Sequence, residues 1–124
     1  MIKTEEEVKQ LLNDVFESID LSDANLVIVG RRWPKVDKTA EFMATYGLKH
    51  ADVAGEIKKL SIKNYSYTDT DRNGKFPGEL WFFGCIPDCI PHFNSEVYVK
   101  IKLRNKVICL SFHEAEHPIS YPYR

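Results

Sequence analysis

Val8, Leu11, Leu12, Val15 and Phe16 recur at the i, i+3, i+4, i+7, i+8 spacing of one helical face. Thr4 stands three residues before Glu7, the signature of a capping box. Together they predict an amphipathic helix over about 4–18. Leu26-Val27-Ile28-Val29 is short, apolar and rich in β-branched residues, with Gly30 as its bound, and predicts a buried strand. Asp37 supplies the cap of a second helix that turns Ala40, Phe42, Met43 and Tyr46 inward and stops at Gly47. A third helix is predicted over about 50–60, with Val53, Ile57 and Leu60 on one face. Gly55 weakens it by about 1 kcal/mol relative to alanine.

From Thr68 to Glu79 the chain is polar and rich in turn-forming residues, which predicts a loop. Leu80-Trp81-Phe82-Phe83 reads as a strand. Pro87 and Pro91 make Cys85–Pro91 a second loop, because proline cannot donate to a sheet ladder. Over 96–103 the period is two. Val97, Val99, Ile101 and Leu103 point one way, and Glu96, Tyr98, Lys100 and Lys102 the other. Val107–His113 returns. A two-residue turn at Arg104-Asn105 sets Ile101 against Ile108, Val99 against Leu110 and Val97 against Phe112. The large apolar side chains then share one face. On the other face Tyr98 lies opposite Ser111, Lys100 opposite Cys109 and Glu96 opposite His113, with His113 a diagonal neighbour of Tyr98. Pattern alone thus gathers Tyr98, Lys100 and His113 on a solvated sheet face. The predicted class is α+β: N-terminal helices packed on a small, mainly antiparallel, four-stranded sheet of 26–29, 80–83, 96–103 and 107–113.

Composition narrows this. With 124 residues, 44% hydrophobic and 12% aromatic, the chain suits one domain over 1–124 and is too apolar for wholesale disorder. No apolar run approaches the roughly 18 residues of a membrane span. The start, with Glu5, Glu6 and Glu7, is acidic where a signal peptide would be basic and then apolar, so a cytoplasmic protein is expected. Three cysteines do not make a disulfide framework. Residues 1–24 carry two basic and seven acidic side chains, net −5; the remaining fifteen basic and eleven acidic give the body +4. That split allows a polyanionic partner for the body.

Three motifs suggest metals, and each lacks its context. His113-Glu114-Ala115-Glu116-His117 matches H-E-x-x-H, but it follows a strand and Pro118 ends any helix within a turn. Asp69-Thr70-Asp71-Arg72-Asn73-Gly74 opens like a calcium loop, yet the residue at its twelfth position is Leu80 rather than glutamate. Cys85, Cys89 and His92 make one ligand group where zinc sites usually need two. No metal and no cofactor are expected.

The segments Glu96–Ile101, Val107–His113, Ala115-Glu116-His117-Pro118 and Tyr121-Pro122 resemble the longer MqsR-family toxins of bacterial type II toxin–antitoxin systems, which end in a SFH…AEHP…YP tail. The similarity extends upstream through Leu80–Gly84 and Leu60…Asn64-Tyr65. It implies a RelE-like fold, metal-independent cleavage of mRNA, free or on the ribosome, and a cognate antitoxin as partner. In shorter members a tyrosine on the penultimate strand and a lysine after a Ser-Phe pair are implicated in cleavage; they match Tyr98 and His113. Two further positions differ: Ser66 and Tyr67 stand where those relatives carry a lysine, and Trp81 or Phe82 where they carry a glutamine.

The expected catalytic set is His113, Tyr98 and Lys100. Imidazole can act as base or acid near neutrality, the phenol as acid or phosphate holder, and the ammonium as a charge stabiliser. Arg31, Arg32, Arg104 and His117 would bind flanking phosphates, and Trp33 would stack on a base. The alternatives are an inactive RNA- or antitoxin-binding module of the same fold, and a metal-dependent hydrolase built on His113, Glu114 and His117.

Overall fold

The computed structural model describes residues 1–31, 35–72, 75 and 77–124. Helix α1 spans Glu5–Leu21, and Thr4 and Glu7 close the predicted capping box at its start. It runs three residues beyond the expected end because Ile19 extends the buried face of Val8, Leu11, Leu12 and Val15. Strand β1 is Leu26–Ile28. Helix α2 is Lys38–Tyr46, capped by Asp37 and ended by Gly47 at φ +65°, a left-handed position that glycine takes without a Cβ penalty. Its inward residues are Thr39 and Phe42, with Met43 partly buried; Ala40 and Tyr46, expected inside, face solvent. Helix α3 is His50–Ile57, with Val53 and Ile57 buried as the pattern required.

The sheet has five strands rather than four. Strand β2 (Tyr65–Asp71) was not foreseen, its second part falling in the loop expected over 68–79, and it pairs antiparallel with β3 (Gly78–Cys85). Its polar residues hid it: Asp69 and Thr70 are exposed on this last strand, while Thr68 is buried, its hydroxyl 2.7 Å from the Tyr65 hydroxyl and its backbone paired with Met1. Strands β4 (Val97–Arg104) and β5 (Lys106–Glu114) follow, giving the order β1-β5-β4-β3-β2. The sheet is mixed, because β1 runs parallel to β5 while all other pairs are antiparallel.

The β4–β5 register differs from the expected one. The turn centres on Asn105 alone, at φ +59°, so Arg104 pairs with Lys106 and Ile101 with Cys109 rather than Ile108. A one-residue slip exchanges the two faces of a strand. Cys109, expected on the polar face, is therefore fully buried in the core, and Ile108 is only partly covered. A bulge then inserts Leu110 between the pairs Ile101–Cys109 and Lys100–Ser111. This second shift restores the faces, so Val99 pairs with Phe112 and Tyr98 with His113. Leu110, expected opposite Val99 in the core, is the unpaired residue.

One hydrophobic cluster joins the buried side chains of all three helices to a single face of the sheet, with Tyr65, Trp81, Phe83, Val97, Val99, Ile101, Val107, Cys109 and Phe112 at its centre. The opposite face belongs to Tyr67, Phe82, Tyr98, Lys100, Ser111 and His113. Lys102, expected in solvent on that face, is instead buried and ion-paired to Asp71 at 2.7 Å, linking β4 to β2 across β3.

Burial pushes the thiols of Cys85 and Cys109 up to about 12. An unfolded chain ionises them near 8.5. Their contribution is fully present below that pH and is lost as pH rises toward the folded value. Urea unfolding should therefore show stability falling by about 1 kcal/mol per thiol between roughly pH 8 and 9.5. Cys85→Ala and Cys109→Ala should each flatten that slope.

Candidate active site on the open sheet face

Strand alternation places the key groups. Tyr98 and Lys100 sit two residues apart on β4 and so leave the same face. The bulge sets His113 of β5 directly across from Tyr98, closer than the diagonal position expected, with ring centroids 5.7 Å apart. Glu96, expected opposite His113, precedes β4; its carboxylate accepts the Tyr121 hydroxyl. The His113 Nδ1 lies 3.0 Å from the Glu114 carbonyl oxygen. A carbonyl only accepts, so Nδ1 carries the proton and Nε2 of the neutral ring keeps its lone pair.

These side chains line a cleft of about 580 Å³, together with Arg31, Lys38 and His117. Asp37 builds one wall. Its carboxylate accepts from the Arg31 backbone N–H at 3.1 Å and from Ala40 N–H at 2.9 Å, tying the end of the β1 segment to the start of α2. The other wall is the tail from Ala115 to Ser120. An ion pair between Lys38 and Glu116 joins the two walls.

Gly84 of β3 seats the tail. A Cβ there would stand 2.2 Å from the Tyr121 hydroxyl and 2.7 Å from Ile119 Cδ1. Both atoms are the ends of side chains, so Gly84→Ala should push Tyr121 and Ile119 aside, loosen the Tyr121–Glu96 bond and cost about 1 kcal/mol. Hydrogen–deuterium exchange should rise over residues 119–123 and stay unchanged in α1.

Burial raises the Tyr98 hydroxyl above the ordinary phenol value, and the neighbouring Tyr67 hydroxyl adds to this. Tyr98 is thus a neutral hydrogen-bond donor at physiological pH. Lys100 holds its ammonium 5.7 Å from the centroid of the Phe82 ring.

The remaining expected residues divide. Arg31 and His117 join the cleft. Arg104 does not; it sits at the hairpin end of β4, about 20 Å along the strand from Tyr98. Arg32 and Trp33 lie outside the described residues. Tyr67 and Phe82 were not assigned a role from the sequence, since β2 and its pairing with β3 were not foreseen. Among the described residues no three His, Cys, Asp or Glu side chains come together to hold a metal ion. His113 and His117 both line the cleft, but His113 and Glu114 are consecutive in β5 and leave opposite faces, so the glutamate of H-E-x-x-H is not on the His113 face as it is on a helix.

Residues 17–114 match the family model described as motility quorum-sensing regulator, toxin of MqsA. The chain belongs to the MqsR toxin family. Comparison with curated proteins and with solved structures gives no match. The stretch matched to the MqsR toxins contains Arg31, Tyr67, Phe82, Tyr98, Lys100 and His113. The tail wall, from Ala115 onward, lies beyond it. No helix among the described residues is long and apolar enough to cross a membrane.

Proposed function

We propose that this MqsR-family chain acts as a single toxin domain in the cytoplasm, cleaves mRNA at the open-face cleft without a metal, and is held in check by a cognate antitoxin. The observation that carries the reading is the direct pairing of Tyr98 with His113, rings 5.7 Å apart, with Lys100 two residues along the same face. RNA supplies its own nucleophile, the 2′-hydroxyl. His113 Nε2 takes the hydroxyl proton as the 2′-oxygen attacks the adjacent phosphorus. Lys100 and the neutral Tyr98 hydroxyl stabilise the charge growing on the phosphate oxygens. The P–O5′ bond breaks as the Tyr98 hydroxyl gives its proton to the leaving 5′-oxygen, and the His113 imidazolium returns the 2′-hydroxyl proton to Tyr98. The products are a 2′,3′-cyclic phosphate and a 5′-hydroxyl. Arg31 and His117 hold neighbouring phosphates at the rim.

The test is end-mapping of RNA incubated with the protein in excess EDTA. Cyclic-phosphate and 5′-hydroxyl ends are expected, together with growth arrest when the chain is expressed in bacteria. Absence of cleavage from RNA that the protein binds would favour a second reading, a binding module of the same fold. That reading draws on the Tyr67 and Phe82 side chains, neither of which is cationic or able to exchange protons near neutrality.

A further inference from the structure

Four rings form a row across four adjacent strands on the open face. Tyr67 of β2 stacks on Phe82 of β3 at 4.2 Å with the planes 6° apart. Phe82 lies 5.6 Å from Tyr98 of β4, and Tyr98 lies 5.7 Å from His113 of β5. Phe82 is 5% exposed although it belongs to none of the helix-packed core. Its burial comes from the row itself: Tyr67 covers one side, and Tyr98 and the Lys100 ammonium the other.

The end of the row is different. β2 is the last strand of the sheet, and among the described residues no ring but Phe82 packs on Tyr67. Tyr67 is 38% exposed and lines the same cleft as Tyr98 and His113. An aromatic cross-strand pair stabilises a sheet in itself, but this flat ring, parallel to its neighbour, also leaves its outer face to solvent, one ring away from the Lys100 ammonium. That is the arrangement by which proteins hold single-stranded nucleic acid, with stacking for a base and positive charge for its phosphate.

We propose that Tyr67 is a nucleobase-stacking residue: its outer ring face takes an unpaired base of the same strand, beyond the nucleotide whose phosphate is held at Tyr98 and His113. The proposal rests on the RNA reading above and deepens it. It makes the substrate an RNA strand locally single-stranded at the cleavage point, since a base within a duplex has no free face to give.

The probe is a short fluorescent 2′-O-methyl oligoribonucleotide, which lacks the free 2′-hydroxyl and so reports binding apart from cleavage. Its abasic counterpart carries the same phosphates without bases. Tyr67→Ala should weaken binding of the base-containing probe by about 5- to 150-fold, the loss of one base–aromatic stack. Tyr67→Phe, which keeps the ring, should bind within about twofold of the parent. On the abasic probe Tyr67→Ala and the parent should bind alike. Equal losses on both probes would overturn the proposal by showing a general or structural effect. So would a Tyr67→Phe variant as weak as Tyr67→Ala, or a Tyr67→Ala variant that binds like the parent. A parent that binds neither probe would overturn the RNA reading and the stacking role together.

Discussion

Replacing His113 by alanine should lower RNA cleavage by roughly 10²- to 10⁴-fold, the usual worth of a positioned general acid or base. The imidazole is oriented rather than merely nearby: Nδ1 is spent on the Glu114 carbonyl, which leaves Nε2 for the role proposed for it. His113 is partly exposed and does not belong to the hydrophobic cluster, so its loss should leave the fold intact. Circular dichroism should stay close to the parent's, and binding of 2′-O-methyl RNA should weaken far less than single-turnover cleavage. His113→Lys should retain part of the activity, because an ammonium at this position still meets the phosphate charge. An alanine variant that cleaves like the parent would remove His113 from the reaction and favour the binding-module reading.

Phe112→Ala should be among the most destabilising single changes in the chain, at about 3–5 kcal/mol by urea unfolding. The ring is fully buried and meets Phe42 of α2 edge-on, with centroids 6.1 Å apart. Its backbone N–H donates to the Thr39 hydroxyl at 3.0 Å, a second tie between β5 and α2. Truncation empties the joint between that strand and that helix. A loss of this size is a large part of the roughly 5–15 kcal/mol that holds an ordinary domain together. Phe112→Leu, which keeps most of the volume, should cost clearly less. A Phe112→Ala variant within about 1 kcal/mol of the parent would mean that the α2–β5 contact closes around the gap.

How much of this was visible in the residues follows from the range of each interaction. Helix α1 and its capping box, the Asp37 and Gly47 ends of α2, and the alternation of β4 depend on neighbours a few positions apart, and all were legible. Tyr98, Lys100 and His113 were also placed on one face, but for His113 only because two one-residue shifts add up to two, which restores the face though not the partner. The turn at Asn105 moves β5 by one residue and the Leu110 bulge moves it by one more. Between those shifts the expectation failed, and Cys109 went to the core. Strand β2 was missed because Ser66 to Asp71 carries almost no apolar signal; its strand state comes from hydrogen bonds to β3. The row Tyr67–Phe82–Tyr98–His113 depends on that pairing, and on the order β5-β4-β3-β2, as does the burial of Lys102 against Asp71. Sequence by itself determined the elements whose stabilising contacts are local, the class of the fold and the chemical types gathered near the end of the chain. Tertiary structure alone decided register, strand order and the walls of the cleft. These are set by backbone pairings and side-chain packing between residues far apart in sequence, which no local periodicity records.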